Sequence, residues 1–135
     1  MIVEEIVKID SKGRVTIPLT IRNMLDIREG MYVLLIADRE KKEVRMTLIP
    51  TTSKLYRVLT RLEDRPGAMA EVATTLASMR IDVITSKCTV VRRGELGECE
   101  MIIDTSKSAA ENVDAIKEAL RKLEVVKSVD ILEME

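Results

Sequence analysis

The sequence predicts an α+β chain of two units, a mostly-β segment over residues 1–50 and a ferredoxin-like β-α-β-β-α-β segment over residues 55–135. Three observations carry this reading. Short runs rich in Ile and Val, separated by turn-forming residues, fill the first segment. After Leu55 the apolar period switches between strand-like and helix-like in the order strand, helix, two strands, helix, strand. Between the two stands Pro50-Thr51-Thr52-Ser53, which ends the first unit.

In chain order, residues 2–9 and 14–17 read as strands around the turn Asp10-Ser11-Lys12-Gly13. If Val7, Ile9, Val15 and Ile17 share a core face, Lys8 lies opposite Arg14 and both charges share the outer face. Pro18 opens a helix that runs through Met24 and Leu25, because its missing N–H is no loss there. It sets Arg22 and Asn23 near the basic hairpin. A second hairpin joins Met31–Asp38 to Glu43–Ile49 around Arg39-Glu40-Lys41-Lys42. So small a unit with few large side chains buries too little surface to offset chain entropy alone, so intertwined dimerisation is expected.

From Leu55 a strand leads to a turn at Asp64-Arg65-Pro66-Gly67 and a helix with Met69, Val72, Ala73, Leu76 and Met79 on one stripe. A long hairpin follows, with strands at about Ile81–Arg92 and Glu98–Asp104. Ser108 and Glu111 have capping-box spacing ahead of a helix striped with Val113, Ile116, Leu120 and Leu123. A strand near Val129–Leu132 closes the pattern. Two helices cover one face of the sheet, and the other face is expected to need cover from a partner subunit.

The chain has no His, Trp, Phe or Gln, and its only aromatics are Tyr32 and Tyr56. Histidine catalysis is excluded, and no phosphate-cradling Gly motif or nucleophile–base constellation is present, so an enzyme is not expected. No cofactor is implied. The scarcity of amides beside abundant Glu, Lys and Arg resembles the bias of heat-adapted proteins. No stretch approaches a membrane span and no secretory signal is visible, so the expected location is cytoplasmic.

Charge is uneven. Lys8 to Arg28 holds five basic residues against Asp10 and Asp26, whereas from Thr51 onward 13 basic residues face 15 acidic ones. A polyanion contact therefore belongs near the N-terminus. Arg14 and Arg22 suit bidentate contacts with guanine or phosphate, Lys8 and Lys12 suit phosphate, and Asn23 suits adenine or the backbone. With one aromatic in this region, double-stranded DNA fits better than stacked single strands.

The stretch Val7-Lys8-Ile9-Asp10-Ser11-Lys12-Gly13-Arg14-Val15-Thr16-Ile17-Pro18, followed by Ile21-Arg22, resembles the AbrB-like swapped-hairpin family over residues 3–49. The resemblance implies two chains exchanging hairpins into one DNA-binding barrel, with Lys8, Arg14 and Arg22 at the family's basic contact positions. Members include transcriptional regulators and the antitoxin halves of toxin–antitoxin pairs. This chain departs from the family at Asn23, where a second basic residue is frequent, and at Asp26, where Gly is frequent. Asp tolerates the left-handed conformation better than most residues.

The order of strand, Asp64-Arg65-Pro66-Gly67-Ala68-Met69, helix and Ile81-Asp82-Val83 resembles the ACT domain family across residues 55–133. That resemblance implies dimers that bind amino acids at their interface, with Asp64, Gly67, Ala68, Met69 and Asp82 at the matching positions. Free N–H groups at the helix start suit a ligand carboxylate, and Asp64 or Asp82 suits its ammonium. Asp82 stands where amino-acid-binding relatives often have Asn, and Leu62 offers no polar group. The same positions also read as an ordinary turn and a strand start, in a unit that only oligomerises.

If the side-chain faces carrying Ile84 and Met101 are both core-facing, Cys88 and Cys99 face one another across the hairpin. Two thiols are the expectation for a reducing cytoplasm, with a bridge as the alternative in a heat-adapted protein. Without His the pair makes no convincing zinc site. The sequence thus points to a DNA-binding transcription regulator that forms homodimers or higher homo-oligomers and senses a free amino acid. An antitoxin-like interaction protein is the alternative.

Overall fold

The computed structural model describes residues 1–49 and 54–134 and divides the chain into two compact units, Met1–Thr52 and Ser53–Glu135. The turn expected at 50–53 lies outside the described residues. Among them, no helix is long and apolar enough to cross a membrane.

In the first unit the turn after Ile9 forms as a tight loop. The Asp10 N–H donates to the Arg14 carbonyl at 3.0 Å and the Gly13 N–H to the Asp10 carbonyl at 3.1 Å. This closes the loop on Asp10 and Arg14, so Asp10, and not Lys8 as expected, stands across from Arg14. Beyond the turn, residues 1–9 and 15–17 form no strand ladder within the chain, unlike the sequence expectation. Ile6, Ile9 and Val15 are exposed, and no described residue of this unit is buried. Local turn chemistry is intrinsic to these residues, whereas a core for their arms is not available from one copy.

Helix α1 (Leu19–Met24) starts one residue later than expected, with Pro18 as its cap and the Pro18 carbonyl taking the first helical bond from the Arg22 N–H. Its end is a Schellman arrangement: Ile27 N–H reaches the Arg22 carbonyl at 2.9 Å and Asp26 N–H the Asn23 carbonyl at 3.4 Å. Asp26 is the left-handed residue this requires, at φ 56°. Strands β1 (Tyr32–Asp38) and β2 (Glu43–Ile49) pair antiparallel from Tyr32 opposite Ile49 to Asp38 opposite Glu43. Asp38 Oδ1 accepts the N–H groups of Glu40 and Lys41 and so shapes the connecting turn.

The second unit comprises β3 (Leu55–Leu62), α2 (Ala68–Ser78), β4 (Asp82–Arg92), β5 (Leu96–Asp104), α3 (Val113–Arg121) and β6 (Val126–Glu133). Its antiparallel sheet has the order β4-β5-β3-β6, the β-α-β-β-α-β topology expected. Val58, Leu62, Met101 and Ile103 from the sheet close a core with Val72 and Leu76 of α2 and Ile116 and Leu120 of α3. Thr60, also buried there, donates its hydroxyl to the Cys99 carbonyl.

Two expectations are corrected here, the cap of α3 and the state of the cysteines. The cap of α3 is Asn112, whose Oδ1 accepts the Ala115 N–H at 2.9 Å, and not Ser108, whose Oγ accepts the Ala110 N–H two residues on. Both are good acceptors near a helix start, and the turn from Thr105 to Ser108 consumes the first. The sheet face away from the helices carries Arg57, Arg61, Glu98 and Glu100, paired as Arg57–Glu100 and Arg61–Glu98 at 2.9 and 3.0 Å. Leu59 and Leu132 stand exposed on the same face. Finally, Cys88 and Cys99, directly opposite in the register, are joined by a disulfide rather than standing as two thiols.

Candidate functional site

In the first unit Lys8, Lys12, Arg14, Arg22 and Asn23 are all exposed. The loop and the helix fix the two arginines differently. Asp10 Oδ1 accepts the backbone N–H of Lys12 and of Arg14 at 2.9 Å each, while its Oδ2 accepts the Arg14 Nε–H at 2.8 Å. The Arg14 N–H and guanidinium hold the Asp10 carboxyl below its ordinary pKa. Arg22 donates its Nε–H to the Ile17 carbonyl at 2.9 Å, which ties α1 to the segment before Pro18. In each guanidinium the Nε is committed to the protein, while the terminal nitrogens have no protein partner among the described residues. That is the arrangement of a positioned cation, able to meet a phosphate or a guanine edge. Lys8, Lys12 and the Asn23 side chain also lack a protein partner there.

Beside these charges lies an apolar groove of about 300 Å³, lined by residues including Val7, Val15, Ile17, Ile21, Leu25 and Leu48.

In the second unit, Asp64, Ala68 and Met69 meet in one cleft of about 150 Å³ at the start of α2, with Arg65, Cys88 and Cys99 on its walls. Gly67 is the residue that turns the chain into α2. It has φ +87° and space around its Cα, so its role is conformational. No side chain caps α2, and the Met69 and Ala70 N–H groups have no protein acceptor among the described residues. Arg65 beside them pairs with Glu63 at 2.8 Å and lies 3.7 Å from Glu71. Asp64 is half-committed: its Oδ2 accepts the Gly94 N–H at 2.7 Å and so ties the loop before α2 to the β4–β5 turn.

Asp82 is not part of this cleft. It begins β4 opposite Asp104, at the far end of the sheet, eight residues before Val90, which does line the cleft. At the strand rise that is roughly 26 Å. Within one chain Asp64 and Asp82 cannot share a ligand. The cleft also adds residues that sequence reasoning passed over. Arg65 stands inside the same turn motif as Asp64 and Gly67, and the pairing of β4 with β5 brings the two cysteines to the wall. A broader concavity of about 570 Å³ over the open sheet face is lined by Lys87, Arg61, Glu98 and Asp130. Arg61 and Glu98 satisfy each other there, so it presents less unmatched chemistry than the smaller cleft.

Two family models match the chain: the ACT domain, over residues 56–125, and antidote-toxin recognition MazE, bacterial antitoxin, over residues 6–55. Among solved structures, the ACT domain from the GTP pyrophosphokinase of Chlorobium tepidum is similar at 18% identity with a TM-score of 0.46, covering 59% of this chain and 100% of that one. An unknown protein from Galdieria sulphuraria is similar at 16% identity with a TM-score of 0.49, covering 61% of this chain. This chain spans only 45% of that protein's length. No curated protein matches the sequence.

Proposed function

Since this chain belongs to the ACT domain family and carries a MazE/AbrB-type swapped-hairpin domain ahead of that domain, we propose that it is a cytoplasmic transcription regulator whose DNA affinity responds to a free amino acid. The observation that carries the DNA half is the pair of arginines, Arg14 anchored through Nε to Asp10 in its loop and Arg22 through Nε to the Ile17 carbonyl. The ligand half rests on the cleft of Asp64, Arg65, Ala68 and Met69, where unpaired helix N–H groups suit a carboxylate and a half-used aspartate suits an ammonium.

Assembly follows from the same residues. The uncovered Ile6, Ile9 and Val15 and the neighbouring apolar groove fit a second copy that exchanges its hairpin arms, giving a two-fold DNA surface. Asp82 completes an amino-acid site only if a partner subunit delivers it to the Asp64 end of another copy. A ligand bridging two such units would favour one assembly, and linkage would then change the DNA affinity of the paired first units.

The antitoxin reading is favoured by the MazE match but not by the second unit. That segment folds around its own core, whereas a toxin-wrapping tail orders on its target. The test is duplex binding to the DNA upstream of the protein's own coding region, with and without each common free amino acid. One amino acid that shifts the DNA affinity supports the regulator. DNA binding indifferent to all of them leaves only an assembly role for the second unit, and absence of duplex binding sinks the proposal.

A further inference from the structure

Cys88 and Cys99 lie on the wall of the cleft that holds Asp64, Arg65, Ala68 and Met69, and their disulfide spans it. Their surroundings differ. Cys99 is 5% exposed and belongs to the core, whereas Cys88 is open to solvent. The two are 11 residues apart in a hairpin that β4–β5 pairing already closes, so the bridge is not what brings these strands together. In a reducing cytoplasm, where the proposed regulator would work, a disulfide is usually a transient, redox-responsive element, heat-adapted proteins excepted.

We propose that the Cys88–Cys99 bridge is a thiol-exchange site set in the cleft wall, opened by a small thiol at Cys88, so that the bridged and dithiol forms hold an amino acid with different affinity. The coupling to affinity rests on the reading of the cleft as an amino-acid site; the exchange itself does not.

The chemistry runs through the exposed sulfur. A small-molecule thiolate attacks Cys88 Sγ, a new S–S bond forms there, and the original bond breaks with its electron pair leaving on Cys99 Sγ, which takes up a proton. A second thiolate attacks the sulfur of the bound small molecule, releasing Cys88 as a thiolate that is protonated in turn. Two electrons pass from two thiols into the bridge, and the thiols leave as one disulfide. Shielding of Cys99 fixes the order, since attack at a disulfide depends on which sulfur is accessible. Opening replaces a covalent link by two separate thiols beside Ala68 and Met69, and a closely packed wall has to rearrange around them.

The experiment uses the native full-length protein. It is incubated with free cysteine, quenched in acid, alkylated and mapped by mass spectrometry after trypsin, which separates the two cysteines at Arg92 and Arg93. The expected result is a single cysteine adduct on the Cys88 peptide, with complete reduction by dithiothreitol while circular dichroism stays native. A bridge that resists both reagents until the protein unfolds, or an adduct on Cys99 alone, overturns the exchange site. In a second arm, thermal shift with each common free amino acid compares the bridged protein, the dithiol protein and the Cys88→Ser, Cys99→Ser double variant. One amino acid is expected to bind the two redox forms at least about tenfold differently, within the usual range of coupled sites, with the double variant following the dithiol form. Equal shifts in both forms overturn the coupling but leave the amino-acid reading standing. No shift in any form overturns both.

Discussion

Asp10 holds Arg14 at two points, accepting its backbone N–H at 2.9 Å and its Nε–H at 2.8 Å, and thereby shapes the loop and aims the cation with one carboxylate. The hydrogen bonds from Arg14 are what lower the Asp10 pKa. A carboxyl with a depressed folded-state value contributes its stability above the unfolded value and loses it as pH falls through the folded one. We expect the Asp10 carboxyl carbon to titrate, by NMR, below the unfolded value of about 3.9, and the Arg14 Nε–H signal to shift with the same midpoint. An ordinary midpoint would separate the two residues.

Replacing either anchored arginine tests the DNA surface. Arg14→Ala and Arg22→Ala are each expected to weaken duplex binding. Where the lost contact is to a phosphate, the slope of log K against log salt should fall by about 0.9. Titration at several salt concentrations separates this from a base contact, which would leave the slope nearly unchanged and relax sequence preference instead. An unaltered affinity removes that arginine from the interface.

Asp64 is assigned two duties, tying the β4–β5 turn through Gly94 and facing the cleft. Asp64→Ala should therefore lower stability by about 1.5 kcal/mol, the low end for a hydrogen bond made by a charged group because this one is exposed, and also weaken the amino acid that shifts the native protein's melting. Asp82→Ala should weaken that ligand with little effect on melting of the free protein. Ligand binding untouched by both substitutions would leave Asp64 a turn residue only.

The start of α3 offers a direct comparison of two candidate caps. Asn112→Ala is expected to cost about 1 kcal/mol by denaturant unfolding, and Ser108→Ala under about 0.5 kcal/mol, as for an ordinary surface change. The reverse order would restore the capping box at Ser108.

What the sequence made legible follows from the range of the interactions involved. The β-α-β-β-α-β order, the stripe of Val72 and Leu76 and the left-handed Asp26 all arise from local periodicity and backbone preference, and they were readable. Asn112 outcompeting Ser108 was not, because both side chains suit a cap and the choice lies in the turn between Thr105 and Ser108. The ion pairs of Arg57 and Arg61 with Glu100 and Glu98 on the open face depend on a register between β3 and β5 that composition does not reveal. In the site, Asp64, Ala68 and Met69 were found together because they are neighbours in one motif. Their separation from Asp82 is set by the length of β4, and the place of Cys88 and Cys99 on the cleft wall by the pairing of β4 with β5.

The most direct test of the regulator reading is reciprocity. Calorimetric titration of the effective amino acid should give different affinities for the free protein and for the protein saturated with its operator duplex. The ratio should equal the change that the amino acid causes in DNA affinity. Equal amino-acid affinities with and without bound DNA would contradict the account.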